Sequence, residues 1–183
     1  GKTLLYVGYD GKLLGTIGLA DELRANAKES ILKLRKLGVK NIIMLTGDVK
    51  EKAEKIGIEL GVDEVRAELL PKDKADIVKE LMAQGKKVAF VGDGINDAPA
   101  LISAHVGISM SRGADIAKAT ADISLLKDDI ACVVEAKEYA NKTMSLINTN
   151  FNATVGINSG ILLGATFGLF SPIVTAVLHN GTT

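Results

Sequence analysis

Two absences bound this 183-residue chain first. Cys132 is its only cysteine, so neither a disulfide framework nor a cysteine-based zinc site is available, and the thiol reads as a small buried residue on a helix. From Thr143 to Thr183 there is no Lys, Arg, Asp or Glu at all. The 22 basic and 22 acidic side chains all fall at or before Lys142 and cancel, so no broad charge field points to nucleic acid. Gly1 to Asp10 has neither the basic start nor the apolar run of a signal peptide. A start without Met, inside a strand-like pattern, is expected of a piece of a longer protein.

What is present reads as a charged part followed by an apolar tail. Leu4–Tyr9 and Leu13–Leu19 flank Asp10-Gly11, a strong hairpin signal. Ala27, Ile31 and Leu34 recur at helical spacing before Gly38. Val39–Leu45 reads as a buried strand running into Thr46-Gly47-Asp48. A helix bearing Ala53, Ile56 and Leu60 follows, then a short strand at Val62–Arg66. Pro71 opens a helix with Ile77, Val78 and Leu81 inward, ending by Gly85. Lys86–Phe90 is the next strand, and beyond its turn Asn96 suits the first turns of a helix. Val106–Met110 and Ala121–Leu126 read as further strands, with a helix starting at Gly113-Ala-Asp115 between them. Alternating strands and helices with short connections predict an α/β fold with a parallel sheet covered by helices. Ligands of such sheets gather at the carboxyl ends of the strands.

The turn Val91-Gly-Asp-Gly-Ile-Asn-Asp-Ala-Pro99 organises the rest. Asp93 and Asp97 sit where a strand stops and a helix begins, and two close acids repel unless a cation or proton lies between them. Hard oxygen ligands at this position suit Mg²⁺ beside a phosphate. Thr46 offers a hydroxyl, the N–H groups near Gly47 an anion nest, and Lys74 a mobile charge for a phosphoryl group. On one sheet edge these groups would form an electrostatic clamp for phosphoryl transfer. Taken singly, Lys74 reads as a solvated helix residue, Thr46 as a helix cap, and the Asp-rich turn as an Asx cap.

From Asp128 a helix is expected to continue into the tail. Leu146–Phe170 is long enough to cross a bilayer at about 20 residues per span. Asn148, Asn150, Asn152 and Asn158 punctuate it, and the deeper ones are expected to face other helices. Ser171-Pro172 reads as a turn, and the run Ile173–Leu178 is too short to span. Lys137 and Lys142 mark the entry side as cytoplasmic.

Met44-Leu-Thr-Gly-Asp48, Leu70-Pro-Lys-Asp-Lys74 and the Gly-Asp-Gly-Ile-Asn-Asp-Ala-Pro signature together resemble the P-type ATPases, ion pumps of the haloacid-dehalogenase-like superfamily. The resemblance covers nearly the whole chain. It implies a Rossmann-like parallel sheet with helices on both faces, followed by a C-terminal transmembrane segment. Thr46 and Lys74 would contact an aspartyl phosphate, with Gly47 in the same loop and Asp48 positioning the phosphate. Asp93 would bind Mg²⁺, and Asn96 and Asp97 would complete the metal and phosphate surroundings. Asp21 and Arg24 match the hinge between nucleotide-binding and phosphorylation domains. The implied domains are residues 1–20, the end of the nucleotide-binding domain; 21–142, the phosphorylation domain; and 143–183, a truncated transmembrane segment. The family's nucleophile lies in an Asp-Lys-Thr-Gly-Thr segment that this sequence does not contain, so the chain alone is expected not to turn over ATP.

The order of elements, the Ser-Pro turn and His179-Asn-Gly-Thr-Thr183 are similar to the heavy-metal-exporting subclass, whose cobalt/zinc-type members carry His-Glu-Gly-x-Thr. Asn180 stands where those have Glu. His179 is therefore a candidate for contact with the transported cation, imidazole being suited to transition metals, or a residue that only hydrogen-bonds near the membrane interface. The implied partners are ATP as substrate, the exported transition-metal cation, the lipid bilayer and the remaining segments of the same pump, with no nucleic acid. The alternatives are a soluble haloacid-dehalogenase-like phosphatase and a non-catalytic, membrane-anchored Mg²⁺/phosphate-binding module.

Overall fold

The computed structural model describes residues 3–19, 23–93, 95–111 and 115–181. They form two compact units, Gly1–Glu135 and Ala136–Thr183.

The first unit opens with an antiparallel hairpin, β1 (Thr3–Tyr9) and β2 (Lys12–Leu19). Asp10 and Gly11 take φ of 47° and 71°, the paired left-handed conformations that a two-residue hairpin turn needs and that these two residue types tolerate best. Both faces of the ribbon remain exposed, Leu5 at 53% and Tyr6 at 66%.

The remainder alternates as expected: α1 (Ala27–Lys36), β3 (Ile43–Leu45), α2 (Lys50–Leu60), β4 (Glu64–Arg66), α3 (Pro71–Ala83), β5 (Ala89–Gly92), α4 (Ala98–Ser103), β6 (Val106–Ser109), α5 (Asp115–Thr120) and β7 (Ile123–Ser124). All the strand pairs after the hairpin are parallel. They fall into two sheets, β3–β4 and β5–β6–β7, where the sequence pattern suggested one.

The strands are also shorter than their apolar runs. Val39 donates to the Leu34 carbonyl in closing α1, which spends on the helix exit a main-chain group expected in the strand. Ile42 is tied instead to Asp63, donating to its carboxylate at 2.7 Å and accepting from its N–H at 2.8 Å. After β5 the chain makes a 3-10 turn, Ile95–Asp97, so the α-helix begins at Ala98 rather than at Asn96.

Successive side chains of β5 point to opposite faces of its sheet, and each face is covered. Phe90 packs with Ala75 and Val78 of α3 and Ala100 and Leu101 of α4. Val91 lies against the cluster of Ile108, Met110, Leu125 and Val133, which Leu34 of α1 also joins. Helices thus flank this sheet on both sides. Leu45, the last residue of β3, packs against the Phe90 cluster, which brings the ends of the two sheets to one core.

Helix α6 (Ala131–Thr166) is followed by α7 (Pro172–Gly181). Ser171 caps α7, its hydroxyl accepting from Val174 and its carbonyl from Thr175, with Pro172 in the first helical position, where a missing N–H is harmless. Apolar residues are exposed along both helices, among them Leu146 at 61%, Phe151 at 65%, Leu162 at 67% and Ile173 at 78%. Among the described residues, however, no helix is long and apolar enough to cross a membrane. The expected span is diluted by its own amides, since Asn148, Asn150, Asn152 and Asn158 all lie on α6.

Candidate functional site

Three chain segments meet at the carboxyl ends of β3 and β5. The first is the loop after β3. Thr46 is half-buried, and its N–H donates to the Arg66 carbonyl at 3.0 Å, extending the β3–β4 pairing by one bond. Its hydroxyl accepts from the Asp48 N–H at 3.0 Å and bends the chain back across Gly47. The loop is fastened to the one after β4, for Leu69 donates to the Thr46 carbonyl at 3.1 Å and Glu68 to that of Asp48 at 3.0 Å. Glu68 holds φ at 57°, a left-handed conformation that a non-glycine residue keeps only where its surroundings impose it. Asp48 is exposed, its carboxylate 3.7 Å from the Lys52 ammonium one turn along α2.

The second segment is the start of α3. Leu70 donates its N–H to the Asp73 carboxylate at 2.8 Å, satisfying a donor at the helix entrance as N3 acids do, and Pro71 fixes the first turn. Since Leu69 is bonded to Thr46, the chain passes directly from the β3 loop to the turn bearing Lys74.

The third segment follows β5. Asp97 is buried at 7% exposure. One of its oxygens accepts from the Lys74 ammonium at 2.8 Å, and the other from the Asp93 N–H at 3.3 Å. Gly92 is required here: a Cβ on it would stand 2.7 Å from the Asp97 Cβ and 3.0 Å from the Phe90 ring. Asp93 and Asn96 are exposed. Lys74, Asp93 and Asp97 are therefore bonded into one cluster. Thr46, Gly47 and Asp48 are joined to it through the 69–70 link and through Leu45 in the shared core.

The chemistry of the cluster is that of an anion and cation holder. It presents an ammonium, a loop bearing the Thr46 hydroxyl, an exposed carboxylate on Asp93 and a buried one on Asp97. No group of three His, Cys, Asp or Glu side chains that could hold a metal ion occurs among the described residues. Two neighbouring carboxylates, with water and a phosphate supplying the other oxygens, are a donor set that fits Mg²⁺.

Of the two hinge positions, Asp21 lies outside the described residues. Arg24 holds Asp128 through both terminal nitrogens, Nη2 at 3.0 Å from each carboxylate oxygen and Nη1 donating to the Asp128 carbonyl. Next to it Asn26 donates to Asp129 at 2.6 Å, and the same carboxylate oxygen accepts the Ala131 N–H at 2.8 Å. That N–H and the Asn26 amide hold the Asp129 carboxyl below its ordinary range. The segment between hairpin and α1 is thereby fastened to the first turn of α6. Sequence reasoning did not pair these residues, which lie 103 and 104 positions apart. Asp73 could have been found, because an acid three residues after a helix entrance is a capping signal.

In the second unit His179 is exposed, its Nδ1 3.1 Å from the side-chain oxygen of Asn158. Both residues line a cavity of about 710 Å³ between α6 and α7.

A sequence model of the haloacid dehalogenase-like hydrolases matches residues 1–105. Over 183 residues the chain is 43% identical to a zinc-exporting P-type ATPase of Mycobacterium marinum, covering 99% of this chain and 25% of the relative. It is 42% identical to a manganese-exporting P-type ATPase of Mycobacterium leprae, with the same coverage. Over 164 residues it is 46% identical to a probable cadmium-transporting ATPase of Staphylococcus aureus, covering 89% of this chain and 20% of that one. The chain thus spans at most a quarter of the length of these relatives. Among solved structures it is similar to a zinc-transporting PIB-type ATPase in the E2.Pi state, with TM-score 0.84 and 38% identity over 100% of this chain and 30% of that one. The catalytic domain of a CPx-ATPase matches 72% of this chain and 52% of its own, at TM-score 0.59 and 32% identity.

Proposed function

Because this chain belongs to the haloacid dehalogenase-like hydrolases, we propose that its strand-end cluster is the Mg²⁺- and phosphate-binding part of the phosphorylation domain of an ATP-driven pump exporting a transition or heavy metal cation. The observation that carries the reading is the bonded series Lys74–Asp97–Asp93 at the end of a parallel strand. An ammonium and an exposed carboxylate are held there within one buried framework, beside a threonine loop tied to the same helix.

In this reading the Thr46 hydroxyl and the Gly47 N–H receive phosphoryl oxygens. Asp48 orients the loop, and Lys74 balances the charge of the phosphate. Asp97 is engaged by Lys74 and by the Asp93 N–H, so its first task is to position both, and Asp93 is the carboxylate that faces the ion, with Asn96 beside it. Bound Mg²⁺ would neutralise charge on the phosphoryl oxygens. The aspartyl phosphate itself comes from an Asp-Lys-Thr-Gly-Thr segment outside these 183 residues. The split between the sheets agrees with such a supplement: among the described residues β3 pairs only with β4, and β5 only with β6, and both end at the cluster. Residues 1–20 belong to the nucleotide-binding domain, residues 21–142 to the phosphorylation domain on the cytoplasmic side, and Asp21 and Arg24 to the hinge between them.

We place residues 143–183 in the membrane, as part of a multi-pass assembly. The support is the tail's lack of charge, its all-round apolar exposure and the whole-length likeness to a PIB-type ATPase. A helix with four amides in its uncharged part is too polar to face lipid on every side and suits a place among other helices. His179 then contacts the exported cation.

The test is the phosphoenzyme. In the complete pump, ATP should label an aspartate, transition-metal ions should stimulate turnover, and Asp97→Ala should abolish the label. An upstream reading frame without Asp-Lys-Thr-Gly-Thr, or normal labelling in that variant, would refute the reading.

A further inference from the structure

We propose that Asn158 is a positioning residue that sets the tautomer of His179, so that the exported cation is met by Nε2 and not by Nδ1. The inference rests on the reading that His179 contacts that cation and goes beyond it in naming the nitrogen and the residue that selects it. The pair comes from facing helices. Asn158 lies on α6 and His179 on α7, 21 positions apart, with Nδ1 3.1 Å from the amide oxygen. An amide oxygen only accepts, so the proton of the neutral ring sits on Nδ1. The nitrogen that binds a metal is set by the hydrogen bond the other nitrogen makes, and such partners hold the ring orientation and raise its basicity.

The surrounding structure fixes the encounter. Leu169 donates to the Gly164 carbonyl at 2.8 Å as α6 ends. The Phe170 ring then lies over Gly164 so closely that a Cβ there would stand 2.4 Å from it. Ser171 caps α7 at once. The short connection leaves the two helices little freedom to slide, and residues one cavity-width along each are held opposite one another. The cavity they share is lined otherwise mainly by apolar groups, including Ile161, Leu162, Phe170 and Pro172. In the membrane placement proposed above, less water competes for this pair than in bulk solvent.

The tautomer is read directly from nitrogen spectra of the histidine-labelled complete pump in detergent micelles, in which the signals lost in His179→Gln are those of His179. The expected result is a protonated Nδ1 and an unprotonated Nε2. Asn158→Ala should shift the ring toward the Nε2–H form, while Asn158→Asp, which keeps an acceptor oxygen, should retain Nδ1–H. Helix content by circular dichroism checks that the variants fold. Added Zn²⁺ should move Nε2 selectively, and its affinity should fall roughly 10- to 100-fold in Asn158→Ala. An Nε2–H ring in the parent chain, or an unchanged tautomer in folded Asn158→Ala, would overturn the assignment of Asn158. The expected tautomer without any response to Zn²⁺ would instead overturn His179 as a cation ligand, and with it the role given to Nε2.

Discussion

The ion pair of Lys74 and Asp97 is the most exacting test of the site, because its geometry fixes both the sign and the size of the effect. The two side chains are 18% and 10% exposed, and the contact is 2.8 Å. Removing one partner from such a pair strands the other charge in a poorly solvated place, which costs about 3–5 kcal/mol when burial is complete. With some solvent still reaching the ammonium, the low end applies, about 3 kcal/mol for Lys74→Met or for Asp97→Asn. Asp97→Asn is the cleaner change, since it keeps the shape packed against Gly92 and an oxygen for the Asp93 N–H. The double variant leaves no unpaired charge and should lose less than either single variant, so the coupling between the two positions is at least about 3 kcal/mol. Hydrogen exchange at amides of α3 and β5 reads this unit without interference from the tail. Each single variant should lower protection there roughly a hundredfold. Singles that cost less than about 1 kcal/mol, as for a surface pair, and that add in the double variant, would refute the view that Asp97 is held by Lys74.

Three further outcomes follow from neighbouring geometry. Gly92→Ala should lower the stability of the first unit by about 1–3 kcal/mol, because the added methyl overlaps both Asp97 and Phe90 and one of them must shift; denaturant midpoints measure it. Arg24→Lys replaces a fork on Asp128 with a point charge, and since the pair is partly exposed the loss should stay below about 1 kcal/mol, confined to faster exchange at residues 24–30 and 131–133. The Asp129 carboxyl is held below its ordinary value by the Ala131 N–H and Asn26, so its contribution is complete above about pH 4 and is lost as the pH falls through its depressed folded value. Asp129→Asn should therefore remove an acid-induced loosening of the first turn of α6, seen as a flatter dependence of Ala131 exchange on pH below about 4.

How much of this was legible depended on the range of the interaction. Asp10-Gly11 announced the hairpin because a two-residue turn demands two left-handed conformations that few residue pairs adopt. Ala53, Ile77, Val78 and Leu81, all buried, followed from helical spacing alone. The rule that ligands gather at strand ends led us to expect Thr46 and Asp93 on one sheet edge, but the strands that precede them lie in two separate sheets. Strand lengths were less accessible. Val39 and Ile42 have the composition of a strand, but their main-chain groups are engaged by the exit of α1 and by Asp63, and that competition is decided by geometry, not by residue type. The partners of Arg24, Asn26 and His179 were beyond reach, since each pairing joins residues far apart in the chain and leaves no periodic trace.

The division of the sheet gives α3 its importance. No main-chain ladder joins β3 to β5 among the described residues, so strand register cannot set the spacing between the Thr46 loop and the Asp93 turn. That spacing falls instead to side-chain packing at Leu45, Ala75 and Phe90, and to one helix whose entrance is bonded to the first loop and whose Lys74 is bonded to the second turn. A strut of this kind transmits displacement. Movement of the 46–48 loop must pull on Leu69 and the first turn of α3, and so on the ammonium that holds Asp97. The two halves of the candidate site are therefore coupled mechanically through Lys74. A strand added between the sheets would stiffen that coupling, because it would replace packing contacts with hydrogen bonds that have a fixed register.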